Sequence, residues 1–249
     1  MTETYSSSTG RPAGSTVESL TLEVDGKQVH CLKAGSGPPV VLLHGGASDS
    51  RDWLGTMDVL SGDHTFYAPD LIGYGMTDKT KDGYLLSDFV DFTLGFAEAL
   101  RLDRPVMVGH SLGGRICLEI ALRRPEDVDK LVLVDSAGFS KLARWGAFLG
   151  SMAYAVRKVL KRPQPFPRFL KENGVYADWL CLDKLPHLKV PTLIVWSKLD
   201  PYYSLAGAVK AWSIIPEAQL EVVPCYGHAP HVRRRDCFND LLLGFLNGD

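Results

Sequence analysis

Six short apolar runs constrain this chain more than any other feature. They lie at 40–43, 65–68, 106–108, 131–134, 192–196 and 220–223. Their lengths and β-branched content suit buried strands. Helical periodicity fits the stretches 85–102, 112–124, 204–214 and 236–246. Strands that alternate with helices predict a mostly parallel sheet covered by helices on both faces. Binding sites of such sheets lie at the carboxyl ends of the strands. Ahead of this rhythm, 19–24 and 27–33 alternate around Asp25-Gly26, which predicts a hairpin. A chain of 249 residues with 45% hydrophobic content suffices for one well-filled domain.

The run at 106–108 leads into Gly109-His110-Ser111-Leu112-Gly113-Gly114. Gly-x-Ser-x-Gly between a strand and a helix forms a tight elbow that pushes the serine out of the sheet. Side chains at Gly109 and Gly113 would collide with the turn or the neighbouring strand. The N–H of Leu112 opens the following helix and is free to donate to a developing oxyanion. Serine alone is a poor nucleophile and needs a base oriented by a third group. Three other strand ends carry candidate partners. The run at 40–43 ends in His44-Gly45-Gly46-Ala47, the run at 192–196 leads to Asp200-Pro201, and the run at 220–223 leads to Gly227-His228.

These motifs, together with Asp70-Leu71-Ile72-Gly73-Tyr74-Gly75, occur in the order of the α/β-hydrolase family, which the chain resembles from about Ser19 onward. The resemblance implies an α/β-hydrolase fold with Ser111 as nucleophile, Asp200 as orienting acid and His228 as base. It also implies oxyanion donors at the backbone N–H groups of Gly46 and Leu112. Gly46 is chosen because its backbone can approach a ligand with no side chain in the way. Asp135, which ends the run at 131–134, is the rival acid and is read as holding loop backbone. His231 is the rival base and is read as a structural hydrogen-bonding residue. His44 and His110 are read as loop packing, Tyr74 and Asp78 as turn residues, and Arg115 as a helix-surface or ion-paired residue.

Residues 136–187 break the strand–helix rhythm. A helical stretch at 142–161 carries Trp145, Phe148, Met152 and Tyr154. The prolines of Arg162-Pro163-Gln164-Pro165-Phe166-Pro167 cannot stay helical. A shorter helical piece is expected at 168–182. In the resembling family this position carries a cap over the active site, and here it looks shorter than a four-helix cap. The expected organisation is a flexible tail at 1–18, a core at 19–135 and 188–249, and the cap at 136–187. Each cap aromatic is expected to pack the cap onto the core.

The implied activity is a serine hydrolase that cleaves a small carboxylic ester through an acyl-enzyme. Two alternatives are a carbon–carbon bond hydrolase for meta-cleavage products and a slow, receptor-like hydrolase. Arg144, Arg157 and Arg168 are possible carboxylate ligands for the carbon–carbon reading. Halide release and epoxide opening are disfavoured, because their elbow carries Asp where Ser111 stands. A formal net charge of −2, without a basic field, excludes nucleic-acid and membrane surfaces as expected partners. The five cysteines are odd in number and match no metal or disulfide spacing, which points to the reducing cytoplasm. No metal or organic cofactor is expected. Residues 1–18 lack the apolar run of a signal peptide.

Overall fold

The computed structural model describes residues 4–5, 16–79, 84–160 and 180–248. One sheet contains β1 (Thr4–Tyr5), β2 (Val17–Val24), β3 (Lys27–Gly35), β4 (Pro39–Leu43), β5 (Thr65–Pro69), β6 (Val106–His110), β7 (Leu131–Val134), β8 (Thr192–Leu199) and β9 (Gln219–Tyr226). Their spatial order is β1-β2-β3-β5-β4-β6-β7-β8-β9. The β1–β2, β2–β3 and β3–β5 pairs are antiparallel. Every pairing from β5 through β4 to β9 is parallel.

The central strands are continuous apolar runs because both of their faces are covered. Side chains alternate across a strand, so each run feeds two cores. Val41, Leu43, Met107, Leu131, Leu133 and Ile194 belong to one core. Val40, Leu42, Val106, Val108, Val132 and Val195 belong to the other. Helices α2 (Leu86–Ala99), α3 (Leu112–Arg123) and α5 (Leu205–Ile214) supply residues to the first core. Helices α1 (Leu54–Leu60) and α7 (Arg235–Asn247) supply the second. Two further helices are α4 (Arg144–Val159) and α6 (Pro230–Arg233).

The chain runs from β4 to β5 on one side, then crosses to β6 on the other. The loops after β4 and β6 therefore open side by side, at the switch point where such sheets hold ligands. The register that pairs Leu43 with Gly109 sets His44 beside His110. Packing there leaves no room for side chains. A Cβ on Gly109 would lie 2.3 Å from the Gly113 carbonyl oxygen, and one on Gly113 would lie 2.3 Å from that of Leu43. Gly113→Ala is thus expected to abolish soluble, folded protein. Gly62→Ala, where nothing lies within 4 Å of the added carbon, should leave the melting temperature almost unchanged.

Several elements differ from expectation. Thr4 and Tyr5, within the segment expected as a tail, pair with Glu18 and Val17. Helix α1 was not anticipated, because its seven residues are too few to show a helical period. Helix α6 ends at Arg233, and α7 starts at Arg235, one residue ahead of the expected 236–246 stretch. Helix α4 forms within the expected 142–161 stretch. Trp145 and Phe148 do not pack onto the core. They stack on each other at 5.5 Å and are 63% and 52% exposed. The proline segment 162–167 lies outside the described residues. So does most of the expected 168–182 helix, whose described end, 180–182, is not helical.

Candidate active site

Ser111 stands between β6 and α3 with φ 53° and ψ −109°. That backbone conformation costs a non-glycine residue on the order of 1–3 kcal/mol and persists only where its surroundings enforce it. The Ser111 N–H donates to the Val134 carbonyl at 3.0 Å, and its carbonyl accepts from Arg115 and Ala137 N–H groups at 3.1 Å. These bonds tie the elbow to β7 and α3. The first N–H groups of α3, Leu112 among them, have no acceptor within the helix.

Gly46 lies against this helix start. A Cβ there would sit 3.7 Å from both Leu112 Cδ2 and Tyr74 Oη. That is ordinary contact, so the local packing does not demand glycine at Gly46. The crowded position is Gly45, whose Cβ would fall 2.7 Å from His110 Nδ1.

Asp200 follows β8 and His228 follows β9. The Gly227 N–H donates to the Leu199 carbonyl at 3.1 Å, which brings the next residue of each strand face to face. Gly227 has φ 126°, a conformation that favours glycine. His228 Nδ1 meets Asp200 Oδ2 at 2.8 Å. The other carboxylate oxygen of Asp200 accepts the Tyr202 N–H at 2.7 Å, which sets the plane of the carboxylate. His110 Nε2 donates to the His228 carbonyl. The ring of His110 lies 4.9 Å from that of His228, and Ser111 is the next residue after His110. No hydrogen bond joins Ser111 Oγ to His228 among the described residues. Such contacts are often long without substrate and tighten in the reacting complex.

Asp135 is the second acid within reach. It is fully buried after β7, 3.9 Å from His228 Nδ1. Its two oxygens accept from the Ser197 N–H and Oγ–H at 2.7 Å each, which matches its reading as a holder of backbone. Burial pushes its carboxyl up to about 7, against the pull of the neighbouring His228 and with a further push from Asp200.

His231 corrects a sequence reading. It is buried, yet neither ring nitrogen has a hydrogen-bond partner among the described residues. It stacks on Trp53 at 4.3 Å instead. Burial and the nearby His228 bring it down to about 3. His44 does serve loop packing, donating to the Gly45 carbonyl at 2.8 Å and accepting the Leu71 N–H at 3.0 Å. Arg115 is not on the helix surface. It is buried as an ion pair with Glu119 at 2.7 Å. Asp78 accepts the Gln28 N–H at 2.8 Å, a turn role.

Sequence reasoning missed Tyr202 and Tyr203, whose rings lie 4.8 and 5.6 Å from that of His228. Their adjacency to Asp200 was the available signal. Tyr202 also anchors the chain leading into α4, since its carbonyl accepts the Ala143 N–H at 2.8 Å. No helix among the described residues is long and apolar enough to cross a membrane.

The alpha/beta hydrolase fold family matches residues 38–163. The 2-hydroxymuconate semialdehyde hydrolase of Pseudomonas sp. (strain CF600) is 36% identical, over 86% of this chain and 88% of that protein. A meta-cleavage product hydrolase structure from Pseudomonas fluorescens IP01 superposes with a TM-score of 0.76 at 25% identity, covering 92% of this chain and 97% of that one. The carboxylesterase CesB of Bacillus subtilis shares the fold with a TM-score of 0.81 at 21% identity, covering 94% and 92%. The chain belongs to the α/β-hydrolase fold family.

Proposed function

We propose that this protein is a serine hydrolase of small carboxylic esters, with Ser111, His228 and Asp200 as its triad. The observation that carries the reading is the 2.8 Å His228–Asp200 bond, formed next to a strained serine elbow. With Nδ1 engaged by the carboxylate, Nε2 of His228 is the nitrogen that can take a proton. It accepts the Ser111 hydroxyl proton as Oγ attacks the ester carbonyl. The N–H groups of Gly46 and Leu112 receive the oxyanion, each contributing about 3–4 kcal/mol. Collapse breaks the carbon–oxygen bond, and the alcohol leaves with the proton from His228. Water then attacks the acyl-enzyme by the same route and restores Ser111. The five unpaired cysteines fit a reducing compartment such as the cytoplasm.

A second reading is carbon–carbon hydrolysis, favoured by the 36% identical relative whose name denotes a semialdehyde hydrolase. Among its candidate carboxylate ligands, Arg144 is exposed at the start of α4, while the side chain of Arg157 and all of Arg168 lie outside the described residues. Nitrophenyl esters of graded acyl length, assayed beside a muconate-semialdehyde-type ring-fission product, separate the readings. Multiple turnovers on short esters, with little on the ring-fission product, are expected. The opposite ranking would replace the ester assignment with the second reading, and a single burst without turnover would favour a receptor-like binder.

A further inference from the structure

Beside the triad lies a second convergence of side chains that ester hydrolysis does not use. Asp52 comes from the 3-10 turn Ser50–Trp53, His110 from the end of β6 and His231 from α6. One ligand-capable atom of each lies within 4.8 Å of the others. The three residues come from distant stretches of chain, so no spacing motif marks them. His110 and His231 are 6% and 1% exposed. Among the described residues, His110 Nδ1 and both nitrogens of His231 are buried without a hydrogen-bond partner. Each such group costs about 1–3 kcal/mol, and native folds keep few of them. Three within one cluster mark a place built to receive something.

The chemistry of the donors narrows what that is. Imidazole ligates metal through the free lone pair of its neutral form. Since His110 Nε2 donates to the His228 carbonyl, its remaining lone pair is on Nδ1. A carbonyl accepting from the second nitrogen is the usual support of a metal-bound histidine. Two imidazoles and one carboxylate suit zinc with one position left open. Magnesium and calcium prefer sets of six or more oxygens.

We propose that Asp52, His110 and His231 form a binding site for one divalent transition ion of the zinc class. Three atoms within 4.8 Å of one another share a point no more than about 2.8 Å from any of them, so each donor closes by at most about 0.7 Å to reach a zinc–ligand bond. Asp52 is the partly exposed member and marks the entry. Asp135, Asp200 and His228 also converge within 4.8 Å, but their facing atoms already bond one another or Ser197. An ion on His110 would stiffen its bond to the His228 carbonyl, so zinc should also slow the hydrolase.

The test reads binding directly and does not depend on the ester assignment. Chelator-treated full-length protein is titrated with zinc(II) by calorimetry, as wild type and as Asp52→Ala, His231→Phe and His228→Ala. Wild type and His228→Ala should each bind one zinc per chain. His231→Phe, which keeps a ring against Trp53, and Asp52→Ala should each weaken binding more than about 100-fold, exceeding the usual loss from an outer-sphere change. Thermal melting confirms that each variant is folded. Asp52→Ala changes a partly exposed side chain and keeps the test open if His231→Phe does not fold. No saturable binding by wild type, or undiminished binding by a folded Asp52→Ala, overturns the site. Loss confined to His228→Ala would put the ion on the triad instead and overturn it equally.

Discussion

Replacing Ser111 with alanine is expected to lower ester turnover by about a millionfold while the protein stays folded. The fold survives because alanine keeps the Cβ of serine in the strained elbow and removes only Oγ. The backbone bonds that enforce φ 53° involve the Ser111 N–H and carbonyl, which the substitution keeps. His228→Ala should cost a similar factor, and the double variant should be little worse than either single one, because nucleophile and base act as a unit. Turnover on a nitrophenyl ester, with a fluorophosphonate probe for Ser111, measures both. Wild-type activity in Ser111→Ala would remove the serine from the mechanism. Ser111→Gly should lose activity equally but gain stability, since glycine adopts positive φ without strain. The opposed movement of activity and melting temperature would show that the elbow holds its strain for chemistry.

Much of this arrangement was legible in the chain because it rests on local rules. The runs 40–43, 106–108 and 131–134 within β4, β6 and β7 are apolar, as strands buried on both faces must be. Gly109 and Gly113 are dictated by backbone contacts within a few residues or across one strand pair. Asp200 and His228 could be named because each directly follows a recognisable strand. What escaped is long-range or too short to show a period. Asp135 could be named as a rival acid because it ends a strand, but its 3.9 Å separation from His228 depends on where three strand ends meet, which no single stretch encodes. His231 was given hydrogen bonds because it is polar, whereas the ring of Trp53 decides its surroundings. The convergence of Asp52 on two histidines needs a turn, a strand and a four-residue helix to be placed in space first. The exposed Trp145 and Phe148 show the same limit, since helical period alone does not say which face a neighbour covers.

Asp200→Asn should reduce turnover by about ten-thousandfold, because an amide that donates to Nδ1 leaves the imidazole in the wrong tautomer. Asp135, at 3.9 Å from the same nitrogen, should not rescue the variant. Both of its oxygens are already committed to Ser197. With its carboxyl raised to about 7 by burial, it is also only partly charged at neutral pH, so it stabilises an imidazolium poorly. Asp135→Asn should therefore retain most activity. Its stability should change in a definite direction. The folded chain keeps a proton on Asp135 that an unfolded chain, with the ordinary value of 3.8, releases in the window up to about 7. Wild-type stability accordingly falls as pH rises through that window, by on the order of a few kcal/mol. Asparagine can accept the Ser197 N–H and donate to Ser197 Oγ without carrying a charge. Asp135→Asn should then melt higher than wild type at pH 8 and close to it at pH 4, with kcat measured on the same samples. If Asp135→Asn lost activity on that scale while Asp200→Asn kept most of it, the carboxylate after β7 rather than the one after β8 would be the orienting acid. A triad whose acid follows β8 predicts the asymmetry between these two variants, and a pair of interchangeable acids does not.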